Sequence, residues 1–404
     1  MAKRILLLAG ELSGVHYAER LKDAVVRELS RRGESEPVEF RGYGDYGFRT
    51  VDLAVMGLVP VLRKIFYFLK VARTMKRAIR EWRPDAVVTV DYPGLNLKLA
   101  AYAKRLGVPA VHLVCPQVWA WNRGRVPKIA ASLTKLLCFF PFEPAMFTGV
   151  AGNGLEAKFI GHPLVDLCAE EAQALEGRRE QIDGLAVPEG RRIVALLPGS
   201  RRGEIERILP RLAAAAGLLN ARIADLEFVI PAASQRARRQ IEATLARHPI
   251  AHCTVVDGQA RRVLRAAAAA AVASGTATLE AAMVRVPTVL VYATSPSFAF
   301  LVRYFVTGVR FAGLANIIAE RCAYGDKDPP KRRPGEGPGK GGPMPELLQE
   351  DFTPEALADM LGAWLTDPAA RAAAVERLDG AMALIRSDGA AIDNAAREIM
   401  METR

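Results

Sequence analysis

The sequence predicts an α/β protein made of two Rossmann-like lobes whose parallel sheets face a central cleft. Its 404 residues exceed what one hydrophobic core usually organises. Apolar, strand-like runs alternate with amphipathic helical segments, which is typical of a parallel sheet covered by helices. A polar interval at 171–190 divides this alternation into two series. In such sheets ligands bind beyond the carboxyl ends of the strands, so we expect functional residues there.

Each series supplies five predicted strands. The first series has strands at 5–9, 38–42, 86–91, 110–115 and 136–140. The second has strands at 193–197, 228–231, 253–256, 270–273 and 288–292. We therefore predict a first lobe at 1–170, a linker at 171–190, a second lobe at 191–365 and C-terminal helices at 366–404. Thr353 and Pro354 predict one helix start, and the Pro-, Gly- and Lys-rich segment 323–343 predicts a flexible surface insertion.

The composition limits the possible partners. The chain has 55 Lys and Arg against 44 Asp and Glu, a net charge of +11 that favours anionic partners. The sign of the charge alone cannot choose among nucleotides, phosphorylated substrates, acidic lipid surfaces and nucleic acid, but nucleic acid is the weakest of these, because the basic residues are scattered without a nucleic-acid-binding motif. No run reaches the roughly 20 apolar residues of a membrane span, so we expect at most peripheral membrane contact.

The cysteines and histidines predict no metal site. The five cysteines lie far apart without CxxC spacing, and the five histidines form no ligand-spaced cluster. We expect reduced core thiols in a cytoplasmic protein.

Two turns in the second series predict a nucleotide-diphosphate site. In LLPGSRRGEI, a strand turns through Ser200 into a helix that starts with Arg201, and guanidinium groups bind diphosphates well. In VASGTATLE, the strand ends at Ser274 and Gly275, and we expect Thr276 to cap a helix whose free N–H groups face phosphate oxygens. Taken singly, PGSR is equally typical of an ordinary turn, and SGTATLE is more typical of a plain helix cap; it is their occurrence together in one lobe that predicts the site.

Glu280 follows in the same segment, one turn further along the predicted helix. We expect it to accept hydrogen bonds from ribose hydroxyls. The alternative is a carboxylate favoured by the helix dipole.

Polar groups of the first series can contact a polar substrate. Asp91 follows a strand in VDYPG and can act as a general base, although a turn aspartate often bonds its own backbone. Glu11 and Ser13 lie at a helix entrance after the first strand, without the GxGxxG spacing of a dinucleotide site. Trp119 can cover a sugar or can be buried, and His162 can hydrogen-bond a phosphate or serve the core.

A basic, apolar segment occupies 55–80 and includes seven Lys or Arg. It predicts either an interfacial helix or acyl groove, or a core helix with a basic outer face.

Taken together, these strings resemble the lipid-A-disaccharide synthase family. The matches are collinear, and they include GELSG, VMGLVPVLRK, VDYPGLNL, PQVWAW, GHPLVD, LLPGSRRGEI, SGTATLE, ANIIAE and PELLQEDFTPE. The resemblance implies a GT-B fold in which the last helix packs back on the first lobe. It implies an inverting, metal-independent transfer of 2,3-diacylglucosamine from its UDP derivative to the 6-hydroxyl of 2,3-diacylglucosamine 1-phosphate, at the cytoplasmic face of the inner membrane.

The resemblance also implies site residues. Asp91 matches the base, Glu11 and Ser13 match the acceptor loop, and the nucleotide site matches at Arg201, Ser274, Thr276 and Glu280, with Asn316, Glu346 and Gln349 nearby. Two family aspartates are replaced, by Val15 and by Gly94, and the segment 323–343 is an insertion. Two alternatives therefore remain: another UDP-sugar enzyme, such as an epimerase or a different glycolipid transferase, and a non-catalytic lipid- or nucleotide-binding homologue.

Overall fold

A computed structural model describes residues 2–34, 36–53, 64–150, 154–175, 181–295, 299–300, 308–325, 329 and 341–403. The chain forms two compact units. Unit 1 comprises Met1–Asp166 and Ile385–Arg404, and unit 2 comprises Leu167–Leu384. Of the basic, apolar segment 55–80, the structure describes residues 64–80. Most of the predicted insertion 323–343 lies outside the described residues.

Unit 1 contains a six-stranded parallel sheet in the order β2-β1-β3-β4-β5-β6. Its strands are β1 (Lys3–Ala9), β2 (Val38–Arg41), β3 (Ala86–Val90), β4 (Ala110–Leu113), β5 (Lys135–Cys138) and β6 (Glu156–Phe159). Its helices are α1 (Leu12–Arg31), α2 (Thr50–Leu53), α3 (Ile65–Trp82), α4 (Pro93–Arg105) and α5 (Val126–Ser132), with α6 (Pro163–Leu175) running on into unit 2. Strands β3 to β5 are fully buried because helices cover both faces.

Unit 2 repeats this architecture with the strand order β12-β11-β10-β7-β8-β9. Its strands are β7 (Arg192–Leu197), β8 (Leu226–Ala232), β9 (Cys253–Asp257), β10 (Ala269–Ala273), β11 (Thr288–Tyr292) and β12 (Glu346–Leu348). Its helices are α7 (Arg202–Arg222), α8 (Gln235–Leu245), α9 (Ala260–Ala266), α10 (Thr276–Met283), α11 (Leu314–Tyr324), α12 (Pro354–Thr366) and α13 (Pro368–Ala383). All of the pairings are parallel.

The last helix, α14 (Ala391–Glu402), belongs to unit 1 and packs against α1. A buried ion-pair cluster holds it to the sheet. Lys135 of β5 contacts Glu398 of α14 at 2.9 Å, and Lys158 of β6 contacts the same carboxylate at 2.5 Å. The C-terminal residues predicted as one block are therefore divided, since 366–384 pack in unit 2 and 385–404 in unit 1.

The ten strands predicted from the sequence are present, with ends that differ by at most two residues. Helix α12 begins as predicted, because the Thr353 hydroxyl accepts from the backbone N–H of Ala356 at 3.2 Å and Pro354 follows it. Two further strands are not among those ten: β6, which precedes His162, and the three-residue strand β12, which is too short to show a pattern.

Candidate functional site

Each sheet has a switch point at which the chain changes direction across the sheet. In unit 1 it lies between β1 and β3, and in unit 2 between β7 and β10. Loops diverge at such a point and leave a crevice for a ligand at the carboxyl ends of the strands. Glu11 and Asp91 follow β1 and β3, and the PGSR and SGT turns follow β7 and β10. The strand order therefore pairs Glu11 with Asp91 in unit 1 and the PGSR turn with the SGT turn in unit 2.

The PGSR turn presents an arginine rather than open backbone amides. Gly199 has φ +100°, a conformation that L side chains rarely adopt, and a Cβ there would lie 2.5 Å from Glu204 Oε2. That oxygen accepts from the N–H groups of Ser200 at 3.2 Å and Arg201 at 3.3 Å. The Arg201 side chain is 69% exposed and touches Glu204 Oε1 at 3.1 Å. An anion at this turn therefore meets the guanidinium group, since Glu204 already fills the turn.

The SGT turn starts α10, and here one prediction is wrong. Gly275, at φ +155°, is the N-cap, and Thr276 is the first helical residue. A glycine suits this backbone conformation, which the sequence alone did not reveal. The Ser274 hydroxyl donates to the carbonyl of Ala312 at 3.2 Å, and the Thr278 hydroxyl donates to the Gly275 carbonyl at 2.7 Å.

Glu280 is held by an arginine. Its Oε1 lies 3.0 Å from Arg261 Nη1, and Arg261 also binds Glu171 at 2.8 Å. Hydrogen bonds to Glu171 are the main cause that raises the pKa of Arg261, so this network stays charged. The ribose contact of Glu280 remains a prediction.

Glu346 and Asn316 organise the loop that Ser274 contacts. The Glu346 carboxylate accepts from the N–H groups of Ala312 and Gly313, both at 2.9 Å, and from Asn316 Nδ2 at 2.7 Å. Burial raises the pKa of Glu346. Asn316 is buried and bonds the backbone of Met344 through both its amide atoms. Both residues therefore fix the entrance of α11.

Gln349 occupies the next turn, at φ +54°. Its backbone N–H donates to the carbonyl of Tyr292 at 2.8 Å, and its own carbonyl accepts from Arg211 at 2.8 Å. These contacts fix the chain immediately after β12, the edge strand of the sheet in unit 2.

Asp91 and Glu11 form the polar centre of unit 1. Burial raises the pKa of Asp91, and burial followed by the charge of Asp91 raises the pKa of Glu11, so the two carboxyl groups influence each other. Asp91 Oδ1 also accepts from the N–H of Tyr92 at 2.8 Å, as expected of a turn aspartate. An aspartate with a raised pKa, whose second oxygen accepts no hydrogen bond from the described residues, suits a general base.

Asn96 positions this turn, and the sequence analysis did not single it out. Asp91 and Tyr92 both have positive φ, at 49° and 52°, which is costly for residues with side chains. Asn96 Nδ2 donates to the carbonyls of Asp91 at 2.8 Å and of Leu8 and Val90, both at 3.2 Å. Its Oδ1 accepts from the buried hydroxyl of Tyr43 at 2.7 Å. The VDYPGLN spacing carries this signal, since Asn96 lies one turn into α4.

Two predicted acceptor-side residues are buried. Trp119 is 4% exposed, and its Nε1 donates to Glu143 at 3.1 Å. His162 is 9% exposed, its Nδ1 accepts from the N–H of Leu164 at 3.1 Å, and burial lowers its pKa to about 4. Both rings pack on Phe140. Aromatic neighbours enclose both rings, which is the buried alternative for each residue, and a contact of either residue with substrate stays a prediction. Ser13 lies in the first turn of α1, and its side chain is outside the described part of the chain.

Cys115 and Cys138 are brought together with Glu143, although the sequence placed the cysteines far apart. The three buried ligand atoms lie within 4.8 Å of one another, the one such metal-competent group found among the described residues. The adjacent parallel strands β4 and β5 end here, which explains the proximity. Burial raises the pKa of Glu143 to about 8 and also helps raise the pKa of both thiols, so a metal ion would have to displace three protons.

In the part of the chain that the structure describes, no helix combines the length and apolar character needed to cross a membrane.

The fold is shared with solved sugar-nucleotide enzymes. The structure of UDP-GlcNAc 2-epimerase from Neisseria meningitidis bound to UDP-GlcNAc matches at a TM-score of 0.57 and 11% identity, covering 99% of each chain. MurG from Acinetobacter baumannii matches at 0.52 and 14% identity, also covering 99% of each chain. An α,α-trehalose-phosphate synthase from Burkholderia xenovorans matches at 0.53 and 14% identity, covering 100% of this chain and 99% of its own. The fold is GT-B, as predicted.

The sequence comparisons define the family. The model of the lipid-A-disaccharide synthetase family matches residues 5–325. A lipid-A-disaccharide synthase of Anaeromyxobacter dehalogenans strain 2CP-1 is 34% identical over 409 residues, covering 99% of this chain and 97% of the relative. One of Azoarcus sp. strain BH72 is 35% identical over 391 residues, covering 93% and 90%. The chain belongs to the lipid-A-disaccharide synthetase family, and the prediction of a glycosyltransferase that uses nucleotide-sugar and lipid substrates is confirmed.

Proposed function

We propose that this chain transfers the 2,3-diacylglucosaminyl group of UDP-2,3-diacylglucosamine to the 6-hydroxyl of 2,3-diacylglucosamine 1-phosphate. The products are a β-1,6-linked disaccharide 1-phosphate and UDP. Family membership over nearly the whole chain, together with Asp91 at the switch point of unit 1, is the observation that carries this proposal.

On the acceptor side, Asp91 is the base. Its carboxylate takes the proton of the 6-hydroxyl as that oxygen attacks the anomeric carbon of the donor. The bond from the anomeric carbon to the diphosphate oxygen breaks, and UDP leaves with the electron pair. Because burial raises the pKa of Asp91, its carboxylate is a stronger base than an exposed aspartate.

On the donor side, Arg201 and the start of α10 receive the charge that develops on the leaving diphosphate. The guanidinium group is largely exposed and can form two hydrogen bonds to phosphate oxygens. The N–H groups at the start of α10 add a positive end of a helix dipole. These groups supply the stabilisation without a metal ion, so we expect activity to persist in excess EDTA.

The test is turnover by the purified chain with both lipid substrates, followed by mass spectrometry. Asp91→Asn and Arg201→Ala should each reduce disaccharide formation by roughly 10²-fold or more. UDP binding without product in the unmodified chain would indicate a non-catalytic homologue. Turnover of a soluble UDP-sugar without any acyl requirement would indicate a different UDP-sugar enzyme.

The structure offers a matched control for each variant. Asp85 precedes the strand β3 that Asp91 follows, and its carboxylate only accepts from the N–H of Arg4 at 2.7 Å. Arg222 ends the helix α7 that Arg201 precedes, and it pairs with Asp359 at 2.6 Å. Asp85→Asn and Arg222→Ala should keep turnover within about threefold.

The exposed face of α3 supports peripheral contact with the anionic, cytoplasmic face of the inner membrane. Phe66 is 82% exposed, Leu69 43% and Ile65 40%, beside the exposed cations Lys70 and Arg73. An apolar face with adjacent basic groups is typical of an interfacial helix.

Vesicle cosedimentation tests this contact. Phe66→Ser should release the protein from vesicles that contain phosphatidylglycerol. Val26→Ser is the control, since Val26 is 53% exposed on α1. Equal release by both variants would contradict a specific role for α3.

A further inference from the structure

A cavity of about 520 Å³ lies in unit 1 between α3, α4 and α5. Its floor is apolar and includes Leu97 and Ile129, both buried. Five cationic side chains line it: Lys76, Lys98, Arg105, Arg125 and Lys128. No acidic residue is among the described residues that line it. We call this site the cationic cavity.

The charges of the cationic cavity are not cancelled by the protein. Lys76 and Arg105 lie over the ring of Tyr102, at 5.4 Å and 5.8 Å from its centroid. Lys98 and Lys128 are exposed. Within the described residues, none of the five cations forms an ion pair with Asp or Glu, whereas many other arginines of this chain do. The cavity therefore attracts anions.

Gly94 adds no negative charge to the cationic cavity. It lies in the first turn of α4, it is exposed, and it lines the cavity. A Cβ added at Gly94 would meet nothing within 4 Å, and its φ is not positive. A carboxylate would fit at this position, which is one of the two where the family pattern has an aspartate. Without it, every charged side chain of the lining is cationic.

We propose that the cationic cavity binds the phosphate-bearing head of an acylated lipid, with the first methylenes of an acyl chain on its apolar floor. Several cations around one pocket suit a phosphate ligand better than they suit a ligand with a single carboxylate. The apolar floor favours an amphiphile over a fully hydrated anion. The volume is within the usual range for small-molecule pockets. This inference rests on the proposed function in one respect, the identity of the lipid that is bound.

A pair of variants at one position isolates the charge. Gly94→Asp places a carboxylate among the cations, and Gly94→Asn places a neutral group of the same shape there. Both side chains have room, and an acidic residue in the first turn of a helix is stabilising, so Gly94→Asp should fold normally. The probe is dihexanoyl phosphatidic acid below its micelle concentration, measured by calorimetry against dihexanoyl phosphatidylcholine and inorganic phosphate.

The unmodified chain should bind phosphatidic acid about tenfold or more tightly than either comparison ligand. Gly94→Asp should weaken that binding by about tenfold, and Gly94→Asn by less than about threefold. Equal binding of phosphatidic acid by the two variants, or equal binding of the two lipids by the unmodified chain, would overturn the proposal.

Two further measurements identify the source of the lipid. If Gly94→Asp raises KM for 2,3-diacylglucosamine 1-phosphate while leaving KM for the UDP donor unchanged, the cavity holds the acceptor. If it instead reduces cosedimentation with phosphatidylglycerol vesicles and leaves both KM values unchanged, the cavity holds a bilayer lipid. A chain without turnover would refute the proposed function, and the calorimetry would still decide the cavity.

Discussion

Replacing Asn96 by leucine should loosen the turn that carries Asp91. The side chain of Asn96 is buried, and it bonds three backbone carbonyls and the hydroxyl of Tyr43. Leucine fills a similar volume without replacing any of these bonds. The Tyr43 hydroxyl is then buried without its acceptor, at a cost of about 1–3 kcal/mol, and the carbonyls lose their donor.

The strained backbone adds to this cost. Asp91 and Tyr92 keep positive φ only because the surroundings hold them, and Asn96 provides much of that restraint. We expect Asn96→Leu to lower the free energy of unfolding of unit 1 by about 2–4 kcal/mol. With a urea dependence of about 2 kcal/mol per molar, the midpoint moves by about 1–2 M. Disaccharide formation should fall as well, because the base is displaced.

Urea unfolding monitored by tryptophan fluorescence measures the change. Three of the four tryptophans, Trp82, Trp119 and Trp121, lie in unit 1, so its transition dominates the signal. Asn220→Leu is the control, because Asn220 is a half-buried amide of unit 2 whose side-chain bond to the Ala251 carbonyl is exposed to solvent. A midpoint for Asn96→Leu within about 0.3 M of the unmodified chain, with normal turnover, would refute the positioning role.

Three further predictions follow from the buried charges. Because burial raises the pKa of Asp91 and the base must be ionised, kcat/KM should fall on the acid side with an apparent pKa above about 3.9, the ordinary aspartate value; a pH–rate profile whose limb lies at or below that value contradicts the assignment. Glu398→Gln should destabilise unit 1 by about 2–4 kcal/mol in urea unfolding, since it leaves Lys135 buried with fewer partners, and an unchanged midpoint would contradict this. Burial raises the pKa of Glu143 to about 8, so the native state favours the neutral carboxyl group, and this stabilisation is lost as pH rises from about 5 to 8. The free energy of unfolding of Glu143→Gln should therefore increase relative to the unmodified chain by roughly 1–3 kcal/mol across that range. A difference between the two proteins that does not change with pH would contradict this prediction.

The sequence predicted the fold well because the central strands of both units are buried on both faces. Such strands appear as continuous apolar runs, and their carboxyl ends marked the turns where Asp91, Arg201 and Ser274 lie. The order of strands within each sheet is not visible in those runs. It is the strand order that pairs Glu11 with Asp91, and the PGSR turn with the SGT turn.

The sequence could not show which polar side chains are used by the protein itself. Trp119 and His162 each have a ring nitrogen that could bind a sugar, yet aromatic neighbours bury both side chains. Cys115 and Cys138 are 23 residues apart in the chain and adjacent in the fold, because two neighbouring strands end there. Contacts between segments decide each of these cases, and periodicity carries no information about them.

Contacts of this kind also decide which helix N-terminus of unit 2 is available to bind an anion. Helices α7, α10 and α11 each follow a glycine-containing turn and, from the sequence, each can bind a phosphate. The structure fills two of them from within, since Glu204 accepts from the amides before α7 and Glu346 from those before α11. In the described part of the chain, no carboxylate bonds the amides at the start of α10. A diphosphate at α10 displaces no internal carboxylate, and Arg201, whose guanidinium is largely exposed, lies on the neighbouring turn after β7. We therefore predict that the donor diphosphate binds between Arg201 and Thr276, where it displaces no carboxylate of the described residues.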